Sequence, residues 1–227
     1  MTIVAIDGPA GAGKSSAALR LAERLGYTLI DTGALYRAVA LAAREQGVSW
    51  EDGEALGALA SSLELRFGPV TGGRPPLLID GVDRSDDIRA PEISQGASQV
   101  SAHPPVRAAL LEVQRRMGRQ GDVVLEGRDI GTVVFPDADV KVFLTASVEA
   151  RARRRYDELK GRDGDADLDE VRREMETRDQ RDSTRAVAPL KPADDAVRLD
   201  SSGLDLDGVL AKLEALVRER LPRPGAR

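Results

Sequence analysis

The chain has 227 residues, 41% of them hydrophobic and 31% charged, a balance typical of a globular domain. Its net charge of −5 argues against a general nucleic-acid binder, and the absence of cysteine excludes disulfides and thiolate metal sites. We expect a cytoplasmic protein, because the sequence contains neither a run of 18 apolar residues nor a basic segment leading into an apolar stretch at its start.

The first predicted elements are a buried strand over 2–7 and a helix over 16–25, and a glycine-rich segment joins them. That segment, Gly8-Pro9-Ala10-Gly11-Ala12-Gly13-Lys14-Ser15, fits the phosphate-binding pattern G-x-x-x-x-G-K-[ST]. Glycines allow successive backbone N–H groups to point at phosphate oxygens, and the helix adds the positive end of its dipole. A glycine-rich turn without a ligand is the alternative, and the flanking strand and helix argue against it.

The glycine segment predicts a nucleotide phosphate site with defined roles for its side chains. Lys14 would reach the β- and γ-phosphates, and the Ser15 hydroxyl would ligate Mg²⁺. The predicted ATP-binding residues are Gly8, Pro9, Ala10, Gly11, Ala12, Gly13, Lys14, Ser15 and Ser16.

A second strand is predicted over 27–30, followed by helices over 34–46 and 51–62. The segment Asp31-Thr32-Gly33 between strand and helix places the hydroxyl of Thr32 at the expected N-cap and Arg37 about one turn inside the helix. Taken alone, this segment also fits a plain helix cap with a solvated arginine.

From residue 63 the pattern changes to short alternating segments broken by glycine and proline, at 63–67 and 77–80. We predict a small antiparallel insert here, followed by helices over 88–101 and 106–119 that separate at 103–105. The other predicted elements are strands over 122–126, 140–144 and 196–200 and helices over 148–159, 168–184 and 206–221.

Strands that alternate with helices predict a parallel sheet covered on both faces, with ligands bound beyond the carboxyl ends of the strands. The segments 8–15, 31–33 and 127–129 each follow a predicted strand, so we expect them to converge at one edge of the sheet.

Two arginine-rich segments follow in the C-terminal half. Arg178, Asp182 and Arg185 are spaced i, i+4 and i+7 and would share a helix face, and a basic run covers 151–155. Each alone fits a solvated, salt-bridged surface. Beside a phosphate loop, however, they suit phosphoryl transfer between two phosphate-bearing substrates, which needs several cations and the exclusion of water by closing segments.

Along essentially its whole length the sequence resembles the bacterial cytidylate kinase family. The similar stretches are 6–15, 31–37, 97–101, 126–138 and 178–190. Gly127-Arg128-Asp129 and Arg185-Ala186-Val187-Ala188-Pro189-Leu190 are far more specific to that family than the phosphate loop. The resemblance implies an α/β fold of the P-loop NTPase type, with a parallel five-stranded sheet flanked by helices, an inserted monophosphate-binding subdomain and a lid.

The resemblance also implies one domain with three parts. The core would comprise 1–62, 120–150 and 186–221, the monophosphate-binding subdomain about 63–119, and the lid about 151–185. The implied CMP-binding residues are Thr32, Arg37, Ser98, Arg107, Arg128, Asp129, Arg178, Asp182 and Arg185.

Within that set, Ser98, Arg107 and Asp129 would read the cytosine. A carboxylate accepts from the N4 amino group, whereas an arginine or a serine hydroxyl donates to N3 and O2. Uracil would instead present a carbonyl to the carboxylate, so cytosine should be preferred. Asp182, with Thr32 or Arg178, would hold the ribose. Arg37, Arg128 and Arg185 would clamp the monophosphate.

The implied catalytic residues are Lys14, Arg128, Arg154, Arg155 and Arg185, with Arg154 and Arg155 approaching the transferring phosphoryl group from the lid. The expected reaction converts ATP and CMP or dCMP to ADP and CDP or dCDP with Mg²⁺, in a monomer that needs neither nucleic acid nor membrane.

Kinases of shikimate or of another monophosphate are alternatives, as is an ATP-driven scaffold. A GTPase switch is a further alternative, and it would read guanine with an Asn-Lys-x-Asp motif. The chain contains no asparagine, which excludes that motif.

Overall fold

The computed structural model describes residues 1–69, 73–163 and 166–221. The described strands are β1 (Ile3–Asp7), β2 (Thr28–Asp31), β3 (Leu65–Phe67), β4 (Leu77–Ile79), β5 (Val82–Asp83), β6 (Val123–Gly127), β7 (Val140–Thr145) and β8 (Val197–Asp200). The described α-helices are α1 (Lys14–Leu25), α2 (Thr32–Glu45), α3 (Gly53–Ser62), α4 (Pro91–Val100), α5 (Pro104–Gly118), α6 (Val148–Asp163), α7 (Leu168–Thr184) and α8 (Leu206–Arg220).

Five strands form one parallel sheet in the order β2-β6-β1-β7-β8, which confirms the predicted fold class. β1 lies at the centre and all five of its residues are buried, because helices cover both faces. The register pairs Ile6 with Glu126 and Asp7 with Gly127, so the ends of β1 and β6 lie side by side. The strand ends that the sequence predicts to converge therefore share one edge of the sheet.

Each face of the sheet has its own apolar core. On one face, β1, β6 and β7 pack with α1 and α8. On the other, the core includes residues of α2, α3, α4 and α5. Leu125 of β6 is fully buried, and its truncation to alanine would cost about 2–5 kcal/mol of unfolding free energy. These cores make the sheet a rigid base for the loops at its carboxyl edge.

The predicted antiparallel insert is a sheet of three short strands in the order β3-β4-β5. Leu65, Leu77 and Ile79 on this small sheet belong to the same core as α2–α5, so the insert packs directly on the main domain. Residues 70–72, inside the glycine- and proline-rich break of this insert, lie outside the described residues.

Helix α6 continues to Asp163, beyond its predicted end at 159, and packs on α7 through Ala152, Val171 and Met175. Of the predicted gap at 161–167, residues 164 and 165 lie outside the described residues. The prediction that 103–105 separate two helices is wrong in detail, since Pro104 and Pro105 form the first turn of α5. Proline is accepted there because the first N–H groups of a helix have no partner within it.

None of the helices in the described parts of the chain combines the length and the apolar content needed to cross a membrane.

Candidate active site

The phosphate loop, residues 8–15, connects β1 to α1 and owes its shape to glycine. Gly8, Gly11 and Gly13 have φ angles of 148°, 74° and 88°, a region that other residues rarely adopt. A Cβ atom on Gly8 would lie 1.9 Å from the Leu144 carbonyl oxygen of β7. Gly8 therefore allows the loop to leave β1 in close contact with its neighbouring strand.

Lys14 is the first residue of α1 and only 5% exposed. Its Nζ donates a hydrogen bond to the Pro9 carbonyl oxygen at 2.7 Å, and no described carboxylate lies within ion-pair distance of it. Burial, reinforced by repulsion from Arg128, lowers the pKa of Lys14 to about 7. A buried cation with a single neutral acceptor is well suited to an incoming anion.

Two buried side chains far along the chain hold the phosphate loop in place. Arg151 of α6 donates to the Ala10 carbonyl oxygen at 3.1 Å and to Asp179 of α7 at 2.6 Å. Ser201, which follows β8, donates to the Ala12 carbonyl oxygen at 3.1 Å. Arg151 is 3% exposed, so the solvated-surface interpretation is wrong for this member of the 151–155 run. No sequence motif marks Ser201, whose role depends on the strand order.

The two predicted lid arginines lie on α6 in different settings. Arg154 donates to the Ser201 hydroxyl at 3.1 Å and also to its carbonyl oxygen, which places it beside the loop after β8. Arg155 pairs with Glu158 at 2.9 Å and is partly exposed. Arg155 is also close enough to Arg178 to contribute to lowering the pKa of that residue, after burial and Arg128.

Ser15 lies next to a carboxylate that the sequence argument did not assign to the site. Its hydroxyl donates to Glu126 Oε2 at 2.7 Å, and Glu126 is 4% exposed. The other oxygen, Oε1, is buried without a hydrogen-bond partner. Burial and the nearby Asp31 raise the pKa of Glu126. Its position at the end of a strand beside β1 is the signal that could have identified it.

The segment at the end of β2 differs from its predicted geometry. Asp31, not Thr32, is the N-cap of α2 and accepts from the Ala34 N–H at 3.1 Å. Thr32 is 2% exposed, and its hydroxyl donates to the Glu126 carbonyl oxygen at 2.7 Å. Asp31 has extended backbone and therefore takes the N-cap position, whereas Thr32 is already helical and ties α2 to β6.

Asp31 also forms ion pairs with two arginines. Arg37 donates to it at 2.7 Å, and Arg74 from the insert lies 3.7 Å away. Burial alone would raise the pKa of Asp31, but these arginines outweigh it and hold the pKa below its ordinary value. Arg37 Nε is nevertheless buried without a partner. Sequence reasoning singled out Arg37 but not Arg74.

The ends of β6 and α7 bring together an arginine–carboxylate cluster, defined by Arg107, Arg128, Asp129, Asp182 and Arg185. Arg107 donates to Asp129, whose other oxygen lies 3.6 Å from Arg185 Nη2. Arg128 donates to Asp182 at 2.9 Å. Truncating one partner of such a buried pair typically costs about 3–5 kcal/mol, because the remaining charge is uncompensated. Three guanidinium groups against two carboxylates give the cluster a positive excess.

Two features of α7 correct and extend the predicted helix face. Helix α7 ends at Thr184, and Arg185 follows in extended conformation, so Arg185 reaches the cluster from the loop and not from the helix. Arg178 lies on α7, where burial and repulsion by Arg128 lower its pKa to about 10. Arg178 Nε and Arg185 Nη2 are both buried without a hydrogen-bond partner, although Arg185 Nη2 lies within ion-pair distance of Asp129. Buried guanidinium donors with no hydrogen-bond partner in the fold are chemically suited to bind an anion.

Ser98 of α4 is 4% exposed, and its hydroxyl accepts a hydrogen bond from Arg181 of α7 at 2.9 Å. The same end of α4 is linked to the cluster, since Arg107 donates to the Ser101 carbonyl oxygen at 3.3 Å. Sequence reasoning did not assign Arg181 to the site. Its position one turn after Arg178 on the same helix is the signal it carried.

Asp7, the last residue of β1, fixes the loop that carries Arg128 and Asp129. Its carboxylate accepts from the backbone N–H groups of Ile130 and Gly131, both at 2.8 Å. Burial raises the pKa of Asp7 to about 6, although these two hydrogen bonds act in the opposite direction. The Asp7 side chain thus connects the residue that precedes the phosphate loop to the loop that carries Arg128 and Asp129.

Ser16 is the only predicted ATP-binding residue that lies on the outer side of α1, where it is exposed. The end of β1, the loop after β6 and α7 are joined by hydrogen bonds at one edge of the sheet. Chemically, this edge offers a glycine loop and a buried lysine beside a group of incompletely paired arginines.

Comparison with known proteins identifies the family. The cytidylate kinase family model matches residues 4–219. The cytidylate kinase of Geobacter sulfurreducens is 52% identical over 99% of this chain and 96% of its own length. A bifunctional pantoate ligase/cytidylate kinase of Synechococcus sp. is 49% identical over 98% of this chain, which spans 44% of that longer protein.

Among solved structures, an uncharacterized protein from Eubacterium ventriosum shares the fold at a TM-score of 0.52 and 12% identity, covering 97% of this chain and 100% of that one. Such a low identity speaks to the fold alone. The family match extends over nearly the whole chain, and the phosphate loop and the arginine–carboxylate cluster both lie within it. The chain therefore belongs to the cytidylate kinase family.

Proposed function

We propose that this protein transfers the γ-phosphoryl group of ATP to CMP or dCMP, giving ADP and CDP or dCDP. The observation that carries the proposal is a set of buried guanidinium nitrogens without hydrogen-bond partners beside a glycine phosphate loop: Arg37 Nε, Arg178 Nε and Arg185 Nη2. An enzyme that only hydrolysed ATP would not need a second group of buried donors next to the first. The family match and the names of the relatives support the same reaction.

ATP would bind with its phosphates in the loop formed by Gly8, Pro9, Ala10, Gly11, Ala12, Gly13, Lys14, Ser15 and Ser16. Backbone N–H groups and the N-terminus of α1 would receive the phosphate oxygens. Lys14 would hold the β- and γ-phosphates, and the negative charge of the ligand would return its depressed pKa to the protonated range. The hydroxyl proton of Thr32 is donated to the Glu126 carbonyl oxygen, so we propose that Thr32 contributes to the CMP site as a hydrogen-bond acceptor.

The chemistry of the nearby donors fits a magnesium ion. Mg²⁺ prefers oxygen ligands and is usually held by one or two protein groups together with substrate phosphates. The Ser15 hydroxyl and the unpartnered Glu126 Oε1 are suitable oxygens next to the phosphate loop. When bound, the ion would supply charge neutralisation at the β- and γ-phosphates.

CMP would occupy the arginine–carboxylate cluster. Arg37, Arg128 and Arg185 would clamp its phosphate, and Asp182 with Arg178 would hold the ribose. Ser98, Arg107 and Asp129 would read the base, with Asp129 accepting from the N4 amino group. Because Arg128 and Arg185 are already near Asp182 and Asp129, a phosphate would share these guanidinium donors and not replace the pairs.

Catalysis would consist of positioning and charge neutralisation. A phosphate oxygen of CMP is already anionic, so it attacks the γ-phosphorus without a general base, and the bond from that phosphorus to the β–γ bridging oxygen breaks. Lys14, Arg128 and Arg185 would stabilise the charge on the transferring group. Arg154 and Arg155 would approach it from α6, which requires Arg154 to leave Ser201 and Arg155 to leave Glu158.

We further propose that 63–119 acts as the monophosphate-binding subdomain and 151–185 as a lid over the core formed by 1–62, 120–150 and 186–221. The lid helices have a small core of their own, which would allow them to move as a unit. A cytoplasmic monomer acting on these two nucleotides, without nucleic acid or membrane, completes the proposal.

The test is a coupled assay of ADP release with CMP, dCMP, UMP, AMP and shikimate as acceptors, each with Mg²⁺. We expect CMP and dCMP to stimulate ADP formation far more than the other acceptors. Preference for shikimate or AMP would identify a different small-molecule kinase. ADP formation that no acceptor stimulates would favour an ATP-driven scaffold.

A further inference from the structure

Arg181 of α7 contacts a residue of the proposed cytosine site without belonging to the arginine–carboxylate cluster. Its Nη1 donates to Ser98 Oγ at 2.9 Å, and this is the one hydrogen bond of the Ser98 hydroxyl within the described part of the chain. Ser98 is 4% exposed, so water does not readily replace this contact. The pair joins α7 to α4 at the end of α4 that also holds Ser101 and Arg107.

The direction of this hydrogen bond is fixed by chemistry. A guanidinium group has only donors, so the hydroxyl of Ser98 must be the acceptor. The Ser98 proton is therefore left for another partner. A hydroxyl that accepts from a cation is polarised, which makes its own hydrogen a stronger donor and its oxygen a weaker acceptor for anything else.

A Ser98 hydroxyl that acts as a donor can distinguish the two pyrimidines at their N3 atoms. The N3 atom of cytosine is an acceptor, whereas N3 of uracil carries a hydrogen and donates. A Ser98 hydroxyl held as a donor would bind cytosine N3 and would meet the N3–H of uracil donor against donor. A serine without this constraint can rotate and accept from uracil, so by itself it would not discriminate strongly.

We propose that Arg181 is a positioning residue that keeps Ser98 a hydrogen-bond donor and thereby contributes to the choice of cytosine over uracil. The inference rests on the proposed function, because it assumes that Ser98 faces the base. Arg181 acts through Ser98 and does not itself read the base.

A structural role is the competing explanation, since Arg181 also ties α7 to α4. The chain offers a matched control for that role. Gln95 of α4 donates to Glu174 of α7 at 3.3 Å, a second contact between the same two helices that does not involve Ser98. Gln95→Ala removes a tether and leaves the Ser98 hydroxyl untouched.

The experiment measures kcat and KM for CMP and for UMP in the wild type, Arg181→Met, Arg181→Lys, Ser98→Ala, the Arg181→Met/Ser98→Ala double variant and Gln95→Ala. We expect Arg181→Met to lower the CMP-over-UMP ratio of kcat/KM by about five- to tenfold, the range of one net hydrogen bond. The loss should lie in KM for CMP, with kcat at saturating CMP within about twofold of the wild type. Arg181→Lys should restore most of the ratio, and Gln95→Ala should keep it.

In the Ser98→Ala background, Arg181→Met should change the ratio no further, because the group through which Arg181 acts is gone. An equal loss of kcat/KM for CMP and UMP in Arg181→Met would overturn the inference in favour of a tether. An unchanged ratio in Arg181→Met, or a further fall in the double variant, would overturn it as well. If Arg181→Met does not fold, as judged by circular dichroism, then Arg181→Lys and Arg181→Gln decide, and the glutamine variant should show the loss that the lysine variant does not.

These outcomes separate the inference from the function on which it rests. A wild type that does not phosphorylate CMP would refute the proposed function. A wild type that prefers CMP, with an Arg181→Met variant that keeps the full preference, would refute only the role of Arg181.

Discussion

The phosphate loop and the arginine–carboxylate cluster lie at the same edge of the sheet, yet they gather positive charge by different means. In the loop, the backbone provides the donors, three glycines with positive φ provide the shape, and Lys14 has a single neutral acceptor. In the cluster, the donors are arginine side chains from α5 and from the loops after β6 and α7, and carboxylates already pair with some of them.

This difference suggests a division of labour. A backbone site is rigid and recognises any triphosphate, because it reads only phosphate oxygens. A side-chain site with fixed ion pairs can distinguish one base from another, because each hydrogen bond demands a donor or an acceptor at a given position. We therefore expect substitutions in the loop to affect all substrates and substitutions in the cluster to affect the choice among them.

The largest expected effect comes from breaking the loop. In Gly8→Ala the new Cβ would meet the Leu144 carbonyl oxygen at 1.9 Å in a backbone conformation that alanine rarely adopts. Strain and overpacking together should lower the unfolding free energy by about 2–6 kcal/mol and weaken ATP binding. Denaturant unfolding and ATP titration measure the two effects.

Gly26→Ala is the matched control, with a φ of 68° and open space around the new methyl group. It should cost about 1 kcal/mol and leave ATP affinity unchanged. Equal losses in the two variants would show that positive φ alone, and not the contact with β7, matters at Gly8.

The next effect concerns the buried lysine. Lys14→Met keeps the apolar stem and removes the charge, and it should reduce kcat by about 100- to 1000-fold for CMP and dCMP alike. Steady-state kinetics at saturating ATP measure the loss, and Lys212→Met, at an exposed position of α8, serves as the control. A kcat within tenfold of the wild type would contradict the role of Lys14 in the transition state.

A smaller and more selective effect is expected in the cluster. Asp129→Ala removes the proposed acceptor of the cytosine amino group, which should reduce the CMP-over-UMP ratio of kcat/KM by about tenfold or more. Arg107 and Arg185 also lose their partner, so thermal unfolding should be measured in parallel. Asp195→Ala removes another carboxylate that pairs with a buried cation, Lys141, and should leave the ratio unchanged. Full discrimination by a folded Asp129→Ala variant would show that another residue reads the base.

The smallest expected effect is a difference in the number of protons taken up when ATP binds. Because the pKa of Lys14 is lowered to about 7, the Lys14 side chain of the ATP-free protein is mostly neutral at pH 8 and mostly charged at pH 6. An ATP anion should raise that pKa again, so binding at pH 8 should take up close to one more proton in the wild type than in Lys14→Met, and the difference should shrink at pH 6. Calorimetry in two buffers of different ionisation enthalpy measures the uptake. Equal uptake by the two proteins at pH 8 would show that Lys14 is already charged.

The two regions also differ in how far the sequence reveals them. The phosphate loop is continuous in the chain, so its pattern predicts strand, loop and helix together, and the structure contains all three. The pairing of Arg151 with the Ala10 carbonyl oxygen, of Ser15 with Glu126 and of Arg181 with Ser98 joins residues 83 to 141 positions apart. Such contacts follow from the strand order and from the packing of α7 on α4, which local patterns do not encode.

Two details at helix ends were predicted wrongly. Asp31 and Thr32 are both good capping residues, and only the backbone geometry after β2 decides that Asp31 caps α2. The spacing of Arg178, Asp182 and Arg185 indicates one helix face, but α7 ends one residue before Arg185. Helix ends are difficult to predict because their last turn depends on contacts with the rest of the fold.

The most direct test of the central claim, that the two regions serve one phosphoryl transfer, follows ³¹P NMR spectra of the wild type with ATP, Mg²⁺ and CMP. The proposed function predicts that the β-phosphorus signal of CDP grows in step with that of ADP, with little inorganic phosphate, because closing segments exclude water. Growth of inorganic phosphate in step with ADP, without CDP, would contradict it and leave an ATP hydrolase whose arginine–carboxylate cluster receives no acceptor.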